Sequence, residues 1–258
     1  MNTAAQRPPT PLDRWVPYRR PRTTAPALRL FCFPYAGGLA SAFNGWTDAL
    51  PASIEVCSVQ YPGRAGRTSE PMCKRIESLV DALAPALSPL LGTPYAFFGH
   101  SMGGLVAFEL TRRVRALKVA PPVHLFISGT RAPHIPDPRG PRHTLPEAEL
   151  IEELRSYGGT PQDVLEHEEL MQIVLPLIRA DFEMNFTYTF ASPEAVDVPI
   201  STFGGRHDSA VPPDTVEAWR DYTRAAFRWR LFEGDHFFIN PNRRELLLEV
   251  TRDLVRYV

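Results

Sequence analysis

No run in this chain approaches the roughly 18 consecutive apolar residues that a membrane-spanning helix needs. The N-terminus, MNTAAQRPPTPLDRWVPYRRPRTTAP, is rich in Pro and Arg and has no apolar core of the kind a secretory signal carries. Cysteine is scarce and odd in number: Cys32, Cys57 and Cys73. Cys32 and Cys57 fall in strand-like apolar runs, so a disulfide framework is not expected and a reducing compartment fits better. No Cys-x-x-Cys or Cys/His cluster suggests zinc. His167-Glu168-Glu169-Leu170-Met171 opens like a zinc-protease helix but lacks the second histidine. An excess of one charge is also missing: 28 Lys and Arg against 29 Asp and Glu leave a formal net charge of −1. No global field therefore favours nucleic acid or a membrane surface. The expectation is a monomer in the cytoplasm, with no metal or other cofactor, no nucleic-acid partner and no membrane attachment.

What the chain does have is enough apolar material for a large core: 44% of its 258 residues are hydrophobic. The segment 1–26 reads as a loosely held Pro/Arg-rich leader, and 27–258 as one domain. Short apolar runs at Leu28–Phe33, Glu55–Gln60, Tyr95–Phe98, Val123–Ser128, Ile200–Phe203 and Phe227–Phe232 read as buried strands. Helical patterns separate them. Ile76–Leu91 has the i, i+3, i+4 spacing, with Pro85 and Pro89 expected to kink or shorten it. Gly103–Leu117 and Leu246–Val258 are further helices. Strands alternating with helices predict an α/β fold, a mostly parallel sheet covered on both faces. Between Thr130 and Val196 the alternation stops. A Pro-rich loop at His134–Arg142 leads to Thr144-Leu145-Pro146-Glu147, which has capping-box spacing and opens a helix ending near Gly158-Gly159. A second helical pattern runs through Leu170, Ile173, Val174, Leu177, Ile178 and Phe182, with a kink expected at Pro176. Such an all-helical excursion, about 131–195, reads as a lid over the sheet's end.

The stretch FFGHSMGG at 97–104 contains Gly-x-Ser-x-Gly centred on Ser101. The pentapeptide alone is weak evidence, but it lies between a predicted strand and a predicted helix. A serine on such a turn has its Oγ lifted above the sheet, and small residues at Gly99 and Gly103 let strand and helix approach. The next backbone N–H, that of Met102, sits at a helix N-terminus, where an anion is favoured. A serine hydroxyl needs a base, and in such folds the partners follow as Ser, acid, His. Of seven histidines, His236 after the last strand is the best placed. His100 adjoins the serine and is expected to point away across the turn. Asp208 ends the preceding strand in Gly204-Gly205-Arg206-His207-Asp208, whereas Asp235 is expected only to shape the turn beside His236. Ser101, Asp208 and His236 are thus the candidate triad. The loop Phe33-Pro34-Tyr35-Ala36-Gly37-Gly38 should give the second oxyanion donor: the N–H of Ala36, or that of Tyr35, whose ring is expected to wall the pocket.

With these residues in order, the chain resembles the type II thioesterases, the stand-alone α/β-hydrolases of polyketide and nonribosomal peptide biosynthesis. FCFPYAGG at 31–38, QYPGRAGR at 60–67, FFGHSMGG at 97–104, FGGRHD at 203–208 and GDHFFIN at 234–240 carry the resemblance, which spans about 27–258. Many members have His where Tyr35 stands. The resemblance implies an α/β-hydrolase fold with a helical lid. It implies Ser101, Asp208 and His236 as the triad, and Ala36 and Met102 as oxyanion donors. It also implies a reaction: hydrolysis of stalled or aberrant acyl groups from the phosphopantetheine arm of acyl or peptidyl carrier proteins. Leu170, Val174 and Leu177 of the lid either line the acyl chamber or pack only on each other. Arg112, Arg113, Arg115 and Lys118 form a solvated helix face or a dock for an acidic carrier, a role also open to Arg139 and Arg142. The rival reading is a carboxylesterase or lipase acting on small oxygen esters with the same three residues. A macrocyclising thioesterase is not expected, because the chain starts at Met1 and contains no carrier domain.

Overall fold

The computed structural model describes residues 10–19, 24–190 and 193–258. In chain order its helices are α1 (Pro11–Trp15), α2 (Trp46–Ala49), α3 (Ile76–Leu87), α4 (Met102–Ala116), α5 (Glu147–Tyr157), α6 (Gln162–Leu165), α7 (Glu168–Phe186), α8 (Pro213–Glu217) and α9 (Arg243–Leu254). The strands are β1 (Leu28–Phe33), β2 (Ile54–Ser58), β3 (Tyr95–His100), β4 (His124–Ser128), β5 (Ile200–Gly205) and β6 (Phe227–Phe232). They form one sheet in the order β2-β1-β3-β4-β5-β6, and every pairing is parallel. The α/β fold read from the sequence is the fold observed.

A parallel sheet is buried on both faces, and the two-residue strand period sorts the side chains between them. Phe31, Phe33, Tyr95, Phe97, Leu125 and Ile127 point to one side, where they pack with α3 and α4. Leu30, Cys32, Ala96, Phe98 and Phe126 point to the other, against α2 and α9. Phe97 and Phe98 are neighbours in sequence, fully buried in opposite layers. Each contributes about 2–3 kcal/mol of apolar burial.

Several boundaries differ from the sequence pattern. α3 passes through Pro85 and gives way to a 3₁₀ turn at Ser88–Leu90 that contains Pro89. The expected capping box at Thr144 does not form. The Thr144 hydroxyl donates to the Pro141 carbonyl at 2.8 Å, and α5 starts one residue after Pro146 without a side-chain cap. Part of the leader is not loosely held. Thr10 and Asp13 cap α1 reciprocally, Trp15 and Val16 join the main core, and the Arg67 guanidinium stacks 3.9 Å from the Trp15 ring. The rest of that leader, 1–9 and 20–23, lies outside the described residues.

Between β4 and β5 the chain makes α5, α6 and α7, which close on a small core of their own around Leu150, Leu154, Leu175 and Leu177. Among the described residues no helix is long and apolar enough to cross a membrane.

Candidate active site

Ser101 sits between the last residue of β3 and the first of α4, with φ 54° and ψ −124°. A positive φ is costly for a side chain with a Cβ, so the surroundings must impose it. They do so by close packing. A Cβ on Gly99 would stand 2.0 Å from the Gly103 carbonyl oxygen, and one on Gly103 would stand 2.1 Å from the Phe33 carbonyl oxygen. Only glycine at both positions lets α4 spring directly from the end of β3. The Ser101 backbone is fixed on both sides: its N–H donates to the Ser128 carbonyl at 2.7 Å, and its carbonyl accepts from the Thr130 hydroxyl at 2.8 Å.

The loops after β5 and β6 bring the other two residues to it. His236 Nε2 lies 2.9 Å from Ser101 Oγ, and His236 Nδ1 lies 2.7 Å from Asp208 Oδ2. Asp208 is buried, and its second oxygen accepts the backbone N–H groups of Ala210 and Val211 at 2.8 and 3.0 Å. That fixes the carboxylate, and with it the imidazole. Of the residues set aside, Asp235 accepts the Phe237 N–H at 2.9 Å and so shapes its turn. His207 lies on the surface, 3.4 Å from Glu233. His100 does not point away from the site as expected. It is fully buried, with Nδ1 3.0 Å from Ser128 Oγ and its ring 5.3 Å from the His236 ring. Burial, and then the nearby charge of His236, hold its pKa well below the usual histidine value. Burial thus favours its neutral form.

The thioesterase-domain family model matches residues 28–254. The chain belongs to the thioesterase family. It is 45% identical over 224 residues to the gramicidin S biosynthesis protein GrsT of Aneurinibacillus migulanus, covering 87% of this chain and 88% of that protein. Among solved structures it is similar to the type II thioesterase BorB of the borrelidin biosynthetic cluster. The TM-score there is 0.85 at 35% identity, covering 94% of this chain and 98% of the other. It is also similar to RedJ, the thioesterase of the prodiginine pathway in Streptomyces coelicolor. That match has TM-score 0.83 and 39% identity, covering 91% of each chain.

In this thioesterase Ser101 opens into a cavity of about 710 Å³ between the sheet and the helices α5–α7. Tyr35, Ala36, Met102, Val174 and His236 all line it. The Tyr35 ring stands edge-on to Phe237 at 4.8 Å and to His100 at 5.8 Å. Leu170 and Leu177 do not line the cavity. Leu170, in the first turn of α7, is 40% exposed to solvent. Leu177 is turned into the core that α5–α7 share. The wall is made instead by Val174, Ile178 and Phe182, one residue per turn of α7, with Tyr157 of α5 edge-on to His236 at 5.2 Å. Choosing residues three, four and seven apart marks the apolar stripe, but does not say which edge of it faces the cavity.

The arginines also separate. Arg139 and Arg142 reach inward to Asp137, at 2.8 and 2.7 Å, and each lies 3.4 Å from Glu153. Both line the cavity; Arg142 is buried, whereas Arg139 is exposed. Arg112, Arg113 and Arg115 are paired with Glu109, Asp81 and Asp197, as on a solvated helix face. One arrangement has no counterpart in the sequence reading: Arg64, of the YPGRAGR stretch, and Asp181, in α7, form a fully buried ion pair against the Gly37-Gly38 turn.

Proposed function

We propose that Ser101, His236 and Asp208 act as nucleophile, general base and orienting acid of a thioester hydrolase that clears stalled acyl groups from carrier-protein phosphopantetheine arms. The observation that carries this reading is the unbroken chain of contacts Ser101 Oγ–His236–Asp208 on the floor of the cavity. With Asp208 accepting from Nδ1–H, the imidazole is held in the tautomer whose Nε2 is free to take the serine proton.

Ser101 Oγ attacks the thioester carbonyl carbon as its proton passes to His236 Nε2. The resulting oxyanion takes hydrogen bonds from the N–H groups of Ala36 and Met102, both on the cavity wall beside Ser101. The carbon–sulfur bond breaks, and the thiolate leaves with the proton from His236. Water then attacks the acyl-enzyme as His236 removes its proton, and collapse of the second tetrahedral species returns that proton to Ser101 and releases the acid. A cavity of this size with apolar residues on α7 suits varied acyl groups, as an editing enzyme requires.

Intact-mass spectrometry of carrier proteins loaded with several acyl groups tests this directly. Wild type should strip the acyl group to leave the free phosphopantetheine thiol, and Ser101→Ala should not. Matched oxygen esters provide the comparison: if kcat/KM is higher on them than on the thioesters, the protein is an esterase and the carrier reading fails.

A further inference from the structure

The cavity wall and the oxyanion loop meet at one buried ion pair. Arg64 Nη1 and Nη2 donate to Asp181 Oδ2 and Oδ1, both at 2.7 Å. Asp181 is 0% exposed and Arg64 is 2% exposed. Desolvating two charges this fully is costly, and bidentate geometry alone seldom offsets it. Apart from Arg64 Nε, which donates to the Pro62 carbonyl of its own segment at 3.4 Å, the remaining hydrogen bonds of the pair go to one place. Asp181 Oδ2 also accepts the Gly37 N–H at 2.7 Å, and Arg64 Nη1 also donates to the Gly38 carbonyl at 3.3 Å.

Gly37 and Gly38 directly follow Ala36. They belong to a tight turn in which the Gly38 N–H donates to the Tyr35 carbonyl at 2.8 Å. Gly37 has φ +76°, and α7 presses on it so closely that a Cβ there would stand 3.0 Å from Ile178 Cγ1. A third tie is the Tyr61 hydroxyl, which donates to the Pro34 carbonyl at 3.3 Å while the Arg64 guanidinium lies 5.3 Å over its ring. The turn that aims the Ala36 N–H is therefore clamped by side chains from two distant segments, one of them the long helix of the cavity wall.

We infer that the Arg64–Asp181 pair is a positioning device: it makes the oxyanion donor at Ala36 depend on α7 being docked. Arg64 and Asp181 touch no reacting atom. They act through the Tyr35–Gly38 turn, and displacement of α7 would release Gly37 and let the donor swing out of line. An acyl group that holds α7 in place thus helps assemble the site that cleaves it. The inference rests on the assignment of Ala36 as an oxyanion donor.

Two variants test it: Asp181→Asn, and the double variant Arg64→Met/Asp181→Leu, which removes both charges and leaves Gly37 N–H without its acceptor. Labelling with a fluorophosphonate to its end point counts competent Ser101 residues, and the labelling rate reports the oxyanion site without any thioester. Kinetics per labelled site are read with a short acyl N-acetylcysteamine thioester, alongside melting temperature. Loss of an oxyanion donor costs about 10²–10³-fold in kcat, so misplacement of one should lower kcat about 10–100-fold with KM changed less than about threefold. The labelling rate should fall in parallel. In the double variant the melting temperature should recover while kcat stays low. Wild-type kcat per site in either folded variant, or kcat recovering in step with melting temperature, overturns the inference; if the double variant does not fold, Asp181→Asn decides alone. Wild type that labels at Ser101 but does not cleave thioesters would sink the proposed function and leave the labelling comparison to judge the ion pair.

Discussion

Gly99 and Gly103 face each other across the turn that carries Ser101 with no space for a methyl group between them: a Cβ on Gly99 would lie 2.0 Å from the Gly103 carbonyl oxygen and 2.6 Å from the Gly104 nitrogen. All the atoms in the way are backbone, so no side chain can rotate to relieve the clash. Gly99→Ala should cost about 2–3 kcal/mol of stability and, by moving Ser101, most of the activity. Gly66→Ala is the control, because a Cβ there meets nothing within 4 Å. Urea unfolding of the two variants checks the contrast; equal stability would mean that the turn is not held by close packing.

Asp208 binds His236 with one oxygen and two backbone N–H groups with the other. In Asp208→Asn the carbonyl oxygen should keep the two backbone N–H groups, which turns the amide NH₂ towards His236 Nδ1. The imidazole must then accept at Nδ1 and carry its proton on Nε2, where it cannot take the serine proton. A loss of about 10⁴-fold in kcat with little change in melting temperature is expected. Steady-state kinetics with thermal unfolding measure both, and a loss under about tenfold would remove Asp208 from the triad.

How much of this was legible in the sequence follows from how local each signal is. The strand at Leu28–Phe33 matches its apolar run residue for residue, because burial imposes the pattern directly; Phe227–Phe232 has the expected bounds but is not the buried strand expected, since it lies at the sheet's edge with only Phe232 buried. Ser101, Asp208 and His236, which the fold brings into hydrogen-bond contact, can be singled out in the sequence because each follows a strand, and chain order there maps onto position along the sheet. Arg64 stands in the QYPGRAGR stretch, where the local sequence gives it no role. Its partner Asp181 lies in another helical segment, and only the tertiary fold brings them together. Thr144 misled for the opposite reason: its spacing to Glu147 suits a capping box, but Pro146 stands between them and the hydroxyl finds the Pro141 carbonyl first.

Val174 lines the cavity on α7, whereas Leu170 is 40% exposed at its outer end. Val174→Phe should therefore shorten the chamber. It is expected to lower kcat/KM for decanoyl relative to acetyl thioesters by about tenfold or more, the scale at which a pocket discriminates a few methylenes. Leu170→Phe should leave the ratio unchanged. A chain-length series on both variants reads the result, and an equal effect of the two substitutions would place the acyl chain elsewhere.

His124 provides a test of stability rather than catalysis. It starts β4, 5% exposed in its side chain, with Nε2 2.9 Å from Ser201 Oγ and 3.7 Å from Asp253. Because the Ser201 hydroxyl donates to Asp253 at 2.6 Å, His124 must donate from Nε2. Burial, partly offset by Asp253, pushes its pKa down to about 4. In the unfolded chain it titrates near the ordinary value of about 6.5. Between those values the unfolded state binds the proton and the folded state does not, so folding stability is complete above about pH 6.5 and falls as the solution is acidified towards pH 4. Its contribution to that loss between pH 7 and pH 4.5 is about 2 kcal/mol. His124→Gln keeps a donor in reach of Ser201 but cannot titrate, so its stability should fall less over the same interval, by about that amount. Urea unfolding of wild type and variant at the two pH values measures the difference. Parallel acid losses in the two proteins would show that His124 titrates normally in the fold, and that the acid sensitivity arises elsewhere, with buried His100 the next residue to substitute.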